Sequence, residues 1–396
     1  VVHRLIAGWL LLGACAAQAA APEDEDGLFD MSLEDLMTVE IDTVYSASKH
    51  LQKVSEAPSS VTIITADEIR KYGYRTLAEV LRSVPGFYVN NDRNYDYLGV
   101  RGFRRPGDYD TRTLLLVDGH RFNENIGDSP VFGMQLVVDV DLIERVEIVR
   151  GPGSSLYGSN ALLAVVNVIT KDGKTLDGLE VSGEVGSFDT QKGRISYGNV
   201  FDNGLNLLVS ATKGDGDGPQ LYFEEFDDPA TADGLVKNDD SDFHNLFLRA
   251  SFGDFGLIAA HTAAEKGIPT APWGTVFGDR RTRVYDDTTL LGLSYEREIS
   301  DKVSVKAQTA YHHYNYDGRY VYDHSEDETP YIVVNKDYYR GRWWDSELQV
   351  TARPFERHIV TAGGEFRYNA RQDQANWDEE VYLDDSRHSK NWGLYI

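Results

Sequence analysis

From residue 178 onward, the chain alternates short and long connections between segments of period-two hydrophobicity. Segments such as 205–211, 246–252 and 291–295 place apolar residues at every second position, which is typical of strands with one apolar and one polar face. The short connections are 201–204, 253–254, 300–302 and 354–357, and the long polar ones are 213–242, 264–287, 314–342 and 369–389. A soluble β-sandwich does not require short and long connections to alternate strictly. A transmembrane β-barrel does, because it has short turns on one side of the membrane and long loops on the other.

The chain also carries features of export. Residues 1–21 combine a weakly basic start, an apolar run too short to span a bilayer and small-residue cleavage sites within 17–21, as in a secretory signal peptide. A buried helix, or a lipoprotein signal ending at Cys15, is the alternative. Cys15 is the only cysteine, so cleavage would leave no disulfide and no thiolate metal site.

Charge and hydropathy narrow the class of protein further. The chain has 64 acidic and 39 basic residues, a net charge of −25, which argues against a nucleic-acid partner. No later stretch is apolar over 18 residues, so an exported chain that enters a membrane does so as a barrel. Aromatic residues near the predicted strand ends fit an interface girdle, among them Tyr311, Tyr314, Tyr316 and Tyr368.

A compact mixed domain is predicted before the barrel, over residues 55–172. Thr65 with Glu68, and Thr76 with Glu79, form two capping boxes that open short helices. Short strands are expected over 60–65, 86–89, 98–101, 113–117, 146–149 and 161–170. We therefore expect a signal peptide (1–21), an N-terminal periplasmic segment (22–54), the mixed domain (55–172) and a partial barrel (178–396), with residues 40–48 extended and mobile.

Three glycines, Gly151, Gly153 and Gly158, invite comparison with a phosphate-binding loop. The third glycine is one position too far for G-x-G-x-x-G, and the β-branched stretch 161–170 that follows favours a strand over a helix. The glycines are therefore predicted to turn one strand closely into the next.

Several motifs resemble those of one membrane-protein family in the same order along the chain. They are APSSVTIIT (57–65), LAEVLRSVPG (77–86), VRGF (100–103), LLVDG (115–119), and IERVEIVRGPGSSLYGSN with VVNVIT (143–160 and 165–170). Together they resemble the plug domain of TonB-dependent outer-membrane receptors over about residues 33–170. The rest of the chain resembles the family only in its strand pattern.

The resemblance implies a small α+β plug domain followed by a transmembrane antiparallel β-barrel. The barrel has 22 strands in the family, and about ten fit here, so the chain looks truncated. The implied location is the outer membrane of a Gram-negative bacterium, with the plug and the N-terminus facing the periplasm. The implied state is a monomer in contact with outer-membrane lipid.

The family implies a peptide before the plug, the TonB box, that the inner-membrane protein TonB pairs with as an added strand. The best match is Glu40, Ile41, Asp42, Thr43 and Val44. Residues 33–37 are a rival position, and an ordinary linker is the remaining alternative.

Two plug arginines, Arg101 and Arg150, match family arginines that pair with glutamates of the barrel wall. A guanidinium can hold carboxylates in bidentate fashion, so the pairs would lock the plug in place. The alternative is plain surface arginines. Candidate wall carboxylates are Glu180, Glu184, Glu296, Glu347 and Glu365.

The family places substrate binding at the plug apex. The matching residues mix cations with flat rings: Arg93, Tyr95, Tyr97, Arg104, Arg105 and Tyr109. This mixture suits an anionic aromatic iron chelate such as a catecholate or a haem. The implied function is TonB-dependent uptake of a metal chelate, with a ferric siderophore preferred and cobalamin or haem as alternatives.

Other classes of function have weaker support in the sequence. A surface receptor or adhesin that binds without transport is the non-transport alternative, and no catalytic spacing indicates an enzyme. No cofactor or metal is assigned, although carboxylate-rich loops could bind Ca²⁺. His312, His313 and His324 could be haem ligands, but strand-surface histidines explain them equally.

Overall fold

The computed structural model describes residues 43–396 apart from 51, 54, 56, 106, 229–231, 326–330 and 356–357. The predicted signal peptide, most of the predicted N-terminal segment and residues 40–42 of the predicted TonB box lie outside the described residues. Within the part that is described, no helix has the length and apolar character that a membrane crossing would require.

The first part of the described chain is a small α+β domain. Its elements are β1 (Thr43–Val44), β2 (Gln52–Lys53), β3 (Ser60–Thr65), α1 (Ala66–Tyr72), α2 (Leu77–Arg82), β4 (Phe87–Asn91), β5 (Asp96–Val100), β6 (Thr113–Val117), β7 (His120–Arg121), a 3-10 turn (Val140–Leu142), β8 (Ile143–Arg150), α3 (Ser154–Tyr157), β9 (Ala164–Thr170) and α4 (Gly173–Leu176).

Thr65 and Thr76 are the N-caps of α1 and α2, as predicted, and the capping box at Thr65 is complete. The Thr65 hydroxyl accepts from the Glu68 backbone N–H, and the Glu68 carboxylate accepts from the Thr65 N–H. At α2 the Thr76 side chain accepts from the Glu79 N–H, but the Glu79 carboxylate accepts from the Arg75 N–H, so the second box is only half formed. Gly73 ends α1 in the left-handed region, with φ of 67°, where a residue without Cβ is favoured.

A five-stranded sheet with the order β3-β8-β9-β6-β7 organises this domain. Only β6 and β9 pair in parallel, and every residue of β6 is buried. Such a continuous apolar run is typical of a strand covered on both faces. One side packs on α1 and α2, and the core continues into inward side chains of the following strands, such as Leu208, Phe247 and Leu290.

The second part is a ten-stranded antiparallel sheet that is not closed into a barrel. Its strands pair in chain order and are β10 (Gly178–Val185), β11 (Gln191–Val200), β12 (Asn206–Gly216), β15 (Ser241–Phe252), β16 (Phe255–Gly267), β17 (Arg283–Ser300), β18 (Val303–Asp323), β19 (Ile332–Phe355), β20 (His358–Trp377) and β21 (Val381–Tyr395). The prediction of about ten strands after residue 178 is confirmed, and so are the tight turns that follow β11, β15 and β17. The predicted turn 354–357 includes two residues outside the described part. We call this sheet the wall.

The long connections differ from their predicted lengths. The strands extend far into them, so that residues 324–331 alone separate β18 from β19, where a link over 314–342 was predicted. The link 213–242 also contains a separate hairpin, β13 (Leu221–Asp228) with β14 (Ala232–Val236). Strands outside the apolar band need no apolar face, so hydrophobic periodicity ends before the hydrogen-bonded ladder does.

Successive side chains of each wall strand point alternately outward and inward, as in any β-strand. Leu246, Leu291 and Leu293 are 52%, 47% and 57% exposed, while Phe247 and Leu290 point inward and are buried. The apolar faces predicted from the sequence are thus the outer faces. An exposed apolar band of this kind is what a barrel turns toward lipid.

Candidate functional site

The glycine stretch joins the two central strands of the first domain. After β8, Gly151 donates to Leu163 O and Gly153 donates to Ala161 O, and the single turn α3 returns the chain to β9. The stretch 161–170 beyond this four-residue turn forms the strand β9, as predicted, and not the long helix that follows a nucleotide-binding loop.

Residues 43–50, which we call the anchor segment, lie between the first domain and the wall. Val44, Ser46, Ala47 and Lys49 are all buried, and Val44 packs in a cluster with Leu114 and other residues of the plug sheet. The prediction of an extended, mobile segment without a partner is wrong from Thr43 onward. Its contacts are polar as well as apolar, so sequence hydrophobicity alone did not reveal them.

Glu147, in the middle of β8, holds the start of the anchor segment. Its Oε2 accepts from the backbone N–H groups of Tyr45 (3.2 Å) and Ser46 (3.1 Å) and from the Ser46 hydroxyl (2.6 Å). Its Oε1 accepts from Arg145. Glu147 is fully buried, so these bonds satisfy a charge that would otherwise be costly.

Lys49 ties the end of the anchor segment to the wall. Its ammonium lies 2.5 Å from Glu347 on β19 and 2.9 Å from Glu365 on β20. The rings of Tyr157 and Tyr395 also flank it, with centroids 4.6 and 4.1 Å away. A buried ammonium between two carboxylates is the main ionic contact of the anchor segment with the wall.

The last two residues of the predicted TonB box belong to the anchor segment. Thr43 and Val44 form β1, which pairs with Lys53 and Gln52 of β2. The assignment of the box itself stays a prediction, since its other three residues lie outside the described part.

The two predicted lock arginines contact plug groups. Arg150 donates to Pro85 O (2.8 Å) and to the Ser60 hydroxyl (2.7 Å), and Arg101 donates to Arg150 O (3.2 Å). Among the described residues neither arginine forms an ion pair. The wall carboxylates Glu347 and Glu365 contact Lys49 instead, and Glu365 also lies 4.0 Å from Arg121 of β7. A wall partner for Arg101 and Arg150 therefore stays a prediction.

A cavity of about 290 Å³, which we call the apical cavity, lies between the loops of the first domain and the long-loop ends of β18–β20. Three of the predicted apex residues line it, Tyr95, Tyr97 and Tyr109. Five further tyrosines come from the wall: Tyr314, Tyr316, Tyr320, Tyr322 and Tyr339. Tyr314 and Tyr316 point inward and are buried, so their assignment to a lipid-interface girdle is wrong, whereas outward Tyr311 packs on Trp344.

The predicted apex arginines lie away from the cavity lining. Arg93 forms an ion pair with Asp239 at 3.1 Å. Arg104 lies 3.5 Å from Asp110, with its guanidinium 4.3 Å above the Tyr97 ring. Arg105 is exposed and does not line the cavity. An anion site would depend on these guanidinium charges, but Arg93 and Arg104 are paired with carboxylates and Arg105 lies outside the cavity lining.

Several tyrosine hydroxyls at the apical cavity are already engaged. Those of Tyr95 and Tyr314 donate to the two oxygens of buried Asp286, each at 2.9 Å. Those of Tyr316 and Tyr320 bond to each other at 2.5 Å. Burial, and then the Asp286 charge, raises the pKa of the Tyr95 phenol well above its ordinary value. Four of the eight tyrosines of the cavity therefore offer a ligand their ring surfaces, while their hydroxyls are bonded within the protein.

Carboxylates supply the charge of the cavity lining: Asp92, Asp96, Glu124 and Asp337. Glu124 accepts from the backbone N–H groups of residues 126, 127 and 129. Burial raises the pKa of Glu124 and of Asp96, because desolvation disfavours the ionised form. Among the described residues that line the cavity there is no lysine, arginine or histidine.

In the loop before β15 and at the start of that strand, three of the carboxylates considered for calcium form ion pairs. Asp239 binds Lys266 and Arg93, Asp240 binds Arg283, and Asp242 binds Lys213. Within the described ranges, no group of three or more metal-ligating side chains is placed to hold an ion. Loop calcium therefore has no support in the described geometry and stays an untested possibility.

The histidines considered for haem also lie away from the apical cavity. His312 is fully buried, stacks on Trp343 with ring centroids 4.7 Å apart and lies 3.3 Å from Asp345. His313 lies 3.9 Å from Asp287, and His324 packs near Tyr322. None of the three lines the apical cavity.

Sequence reasoning missed Ser46, Lys49 and Glu147. A signal was present for Glu147, because a carboxylate in the apolar run of β8, VEIV, has to find partners inside the domain. For Lys49 the sequence held no such signal, since its partners follow about 300 residues later.

A family model described as the TonB-dependent receptor plug domain matches residues 53–165. Over 170 residues the chain is 34% identical to a vitamin B12 transporter, BtuB, of Vibrio vulnificus, which covers 42% of this chain and 27% of that protein. Over 132 residues it is 33% identical to an iron-regulated outer membrane virulence protein of Vibrio cholerae, covering 32% and 20%.

A longer match reaches into the wall. The vitamin B12 transporter of Vibrio cholerae is 26% identical over 313 residues, which cover 78% of this chain and 42% of that protein. The chain thus spans less than half the length of these curated relatives.

Solved structures share the fold at low identity. The pyoverdine receptor FpvA of Pseudomonas aeruginosa has a TM-score of 0.62 at 14% identity, over 89% of this chain and 50% of that chain. The ferric citrate transporter FecA has a TM-score of 0.62 at 14% identity, over 89% and 55%. The ferric yersiniabactin receptor FyuA of Yersinia pestis has a TM-score of 0.57 at 16% identity, over 86% and 61%.

Proposed function

Because the chain belongs to the TonB-dependent outer-membrane receptors, we propose that it takes part in energised uptake of a scarce metal chelate across the outer membrane. The plug is the α+β domain, and the wall is part of the barrel. A ferric siderophore is the preferred substrate, and cobalamin or haem is the alternative.

The observation that carries the proposal is the anchor segment. It begins with the last two residues of the predicted TonB box, Thr43 and Val44, and it is bonded both to β8 of the plug through Glu147 and to the wall through Lys49. A pull on the chain before Thr43 therefore acts first on the bonds that seat the plug. This is the connection that a receptor needs if an external force is to open it.

The strength of these bonds sets what a pull has to overcome. Hydrogen bonds to charged groups are worth about 1.5–3 kcal/mol each, and breaking a buried ion pair costs about 3–5 kcal/mol. The anchor segment is thus held firmly enough to keep the plug seated at rest. TonB would pair with residues 40–44 as an added strand, since backbone pairing tolerates a loose sequence match.

The relatives support a metal chelate and leave its identity open. Two are named as vitamin B12 transporters and one as an iron-regulated protein. Several similar structures are receptors for ferric pyoverdine, yersiniabactin or preacinetobactin. All are transport receptors rather than enzymes, and the preference for a ferric siderophore follows the more frequent of these classes.

The orientation belongs to the same proposal. The short turns and the predicted TonB box would face the periplasm, while the apical cavity and the long-loop ends would face outward. Substrate would enter the apical cavity from outside, and TonB would act on the opposite end of the plug.

Uptake in intact cells tests the proposal. Cells that make the protein, and otherwise identical cells without TonB, are supplied with radioiron chelates under iron limitation. We expect accumulation in the first strain and surface binding alone in the second. Equal accumulation in both strains would refute energised transport, and binding without accumulation in either would indicate a receptor that does not transport.

A further inference from the structure

The lining of the apical cavity restricts the charge of its ligand. Four carboxylates and no cations line it among the described residues, and eight tyrosines supply most of its surface. An anionic ligand would lose its hydration there without gaining a counter-charge, which is unfavourable in a partly buried site. The same lining favours a cation, because ring faces and carboxylates both attract positive charge.

The polar atoms of the cavity point to the same ligand. The hydroxyls of Tyr95, Tyr314, Tyr316 and Tyr320, four of the eight tyrosines, already have hydrogen-bond partners. By contrast, the Asn94 side-chain oxygen is a buried acceptor without a hydrogen-bond partner in the described structure, and Asn94 lines the cavity. A ligand that donates hydrogen bonds would satisfy such an acceptor.

One tyrosine of the cavity already stacks with a cation. The Arg104 guanidinium lies 4.3 Å from the Tyr97 ring centroid. Exposed rings at the cavity, Trp273 at 70% and Tyr109 at 55%, are free to stack with a ligand in the same way. The arginines that would attract an anion, Arg93 and Arg104, are paired with Asp239 and Asp110.

We infer that the apical cavity receives the protonated amine of a cationic metal chelate and excludes chelates of net negative charge. This inference rests on the proposed uptake function and narrows its substrate class. Catecholates and haem, both anionic, are therefore disfavoured, and chelates that carry a pendant ammonium are favoured. A neutral chelate would bind with intermediate affinity through the rings alone.

Three ferric trishydroxamates that share one iron centre test the inference. Ferrioxamine B carries a free ammonium, its N-acetyl derivative is neutral, and its N-succinyl derivative is anionic. Retention of radioiron is measured on outer membranes from cells that make the protein, with membranes of the deletion strain as the blank. We expect the acetyl form to bind about tenfold more weakly than the ammonium form and the succinyl form at least about tenfold more weakly again.

A charge-only variant shows whether the cavity causes this order. Asp337→Asn should weaken binding of the ammonium form about fivefold to tenfold and leave the acetyl form within about twofold. The unchanged acetyl affinity shows that the variant is folded. Asp242→Asn is the matched control, since it removes the same charge from an exposed pair with Lys213 outside the cavity, and it should change neither affinity.

Equal affinities for the three chelates, a preference for the succinyl form, or no retention of any of them would overturn the inference. Binding to membranes needs no TonB, so its outcome is separate from that of transport. TonB-dependent uptake of an anionic catecholate chelate would refute the preference for cationic chelates and leave the proposed transport intact. The expected charge order without uptake would refute transport alone.

Discussion

The Lys49 ammonium lies 2.9 Å from the Glu365 carboxylate, and the two residues belong to opposite sides of the plug–wall boundary. Glu347 on the neighbouring strand completes the pair of acceptors. Lys49 is buried, and it comes nine residues after Glu40, where the predicted TonB box begins. The contact therefore connects the predicted pulling point with the wall.

Removal of this charge should loosen the anchor segment. Lys49→Gln removes the buried cation that Glu347 and Glu365 share, and it leaves Arg121, 4.0 Å from Glu365, near that carboxylate. Breaking a buried ion pair costs about 3–5 kcal/mol, and this contact with Arg121 lowers the cost at Glu365. We expect amides 45–50 to exchange with solvent at least about tenfold faster, measured by hydrogen exchange and mass spectrometry in native membranes.

The control for Lys49 is an exposed pair. Lys213 binds Asp242 at 2.8 Å, but the side chains are 65% and 48% exposed. Surface pairs contribute about 0–1 kcal/mol, so Lys213→Gln should leave anchor exchange unchanged. If Lys49→Gln behaved like Lys213→Gln, the anchor segment would not depend on this ion pair.

Ser46 and Glu147 should show strong energetic coupling. The Ser46 hydroxyl donates to Glu147 at 2.6 Å and also accepts from Asn167 at 3.0 Å. A double-mutant cycle of Ser46→Ala and Glu147→Gln should give a coupling of about 1.5–3 kcal/mol, as for hydrogen bonds to charged groups. The quantity to measure is the opening free energy of amides 45–46. Additive effects of the two changes would show that the bond does not hold the segment.

Replacement of Arg101 should reduce the stability of the plug less than replacement of Lys49, because the described contacts of Arg101 are weaker. Its side chain is exposed and donates to a backbone carbonyl, so Arg101→Ala should change the opening free energy of plug amides by no more than about 0.5 kcal/mol. Hydrogen exchange of β8 and β9 measures this change. A loss as large as that expected for Lys49→Gln would support the arginine lock that the family resemblance implies.

Buried His120 should make plug stability depend on pH. Burial, and then repulsion from His312 and Lys306, lowers its pKa to about 4. Between pH 6.5 and about 4, the unfolded chain therefore binds a proton that the folded chain does not. This group lowers the free energy of unfolding by about 3 kcal/mol as the pH falls through that window.

Asp110 changes the free energy of unfolding in the opposite direction as the pH falls. The effect of His120 is therefore isolated by comparing the wild type with a His120 variant. Burial raises the pKa of Asp110 to about 6, and this group favours the folded state as the pH falls. Relative to the wild type, His120→Gln should gain stability on acidification from pH 7 to 4.5, measured by exchange of the β6 amides after correction for intrinsic rates. The same pH dependence in both proteins would mean that His120 is not neutral when folded.

The local elements of the plug could be predicted because their causes are local. The N-cap side chains of Thr65 and Thr76 each accept from an N–H group three residues later and fix both helix starts. The alternation of short turns with long links likewise predicted the ten wall strands, since each strand shows its own period-two pattern. The strand ends near the loops were missed because both faces are polar there.

The contacts between plug and wall could not be predicted in the same way. Lys49 and Glu347 are separated by 298 residues, and nothing local marks them as partners. The residue types at the apex predict an anion site, because arginines there could pair with a negative ligand. The sequence does not reveal that Arg93 and Arg104 pair with Asp239 and Asp110, since these contacts depend on how the loops fold over the plug. The residue types were informative, but their partners were decided by tertiary structure.

The central claim is that a pull on the chain before Thr43 drives uptake. Ile41→Pro removes a backbone donor from the predicted TonB box, outside the anchor segment, and Ile41→Val is the matched control. Radioiron uptake and binding are measured on the same cells. The account predicts that Ile41→Pro lowers uptake to the level of cells without TonB, with binding unchanged and Ile41→Val normal. Normal uptake by Ile41→Pro would contradict it.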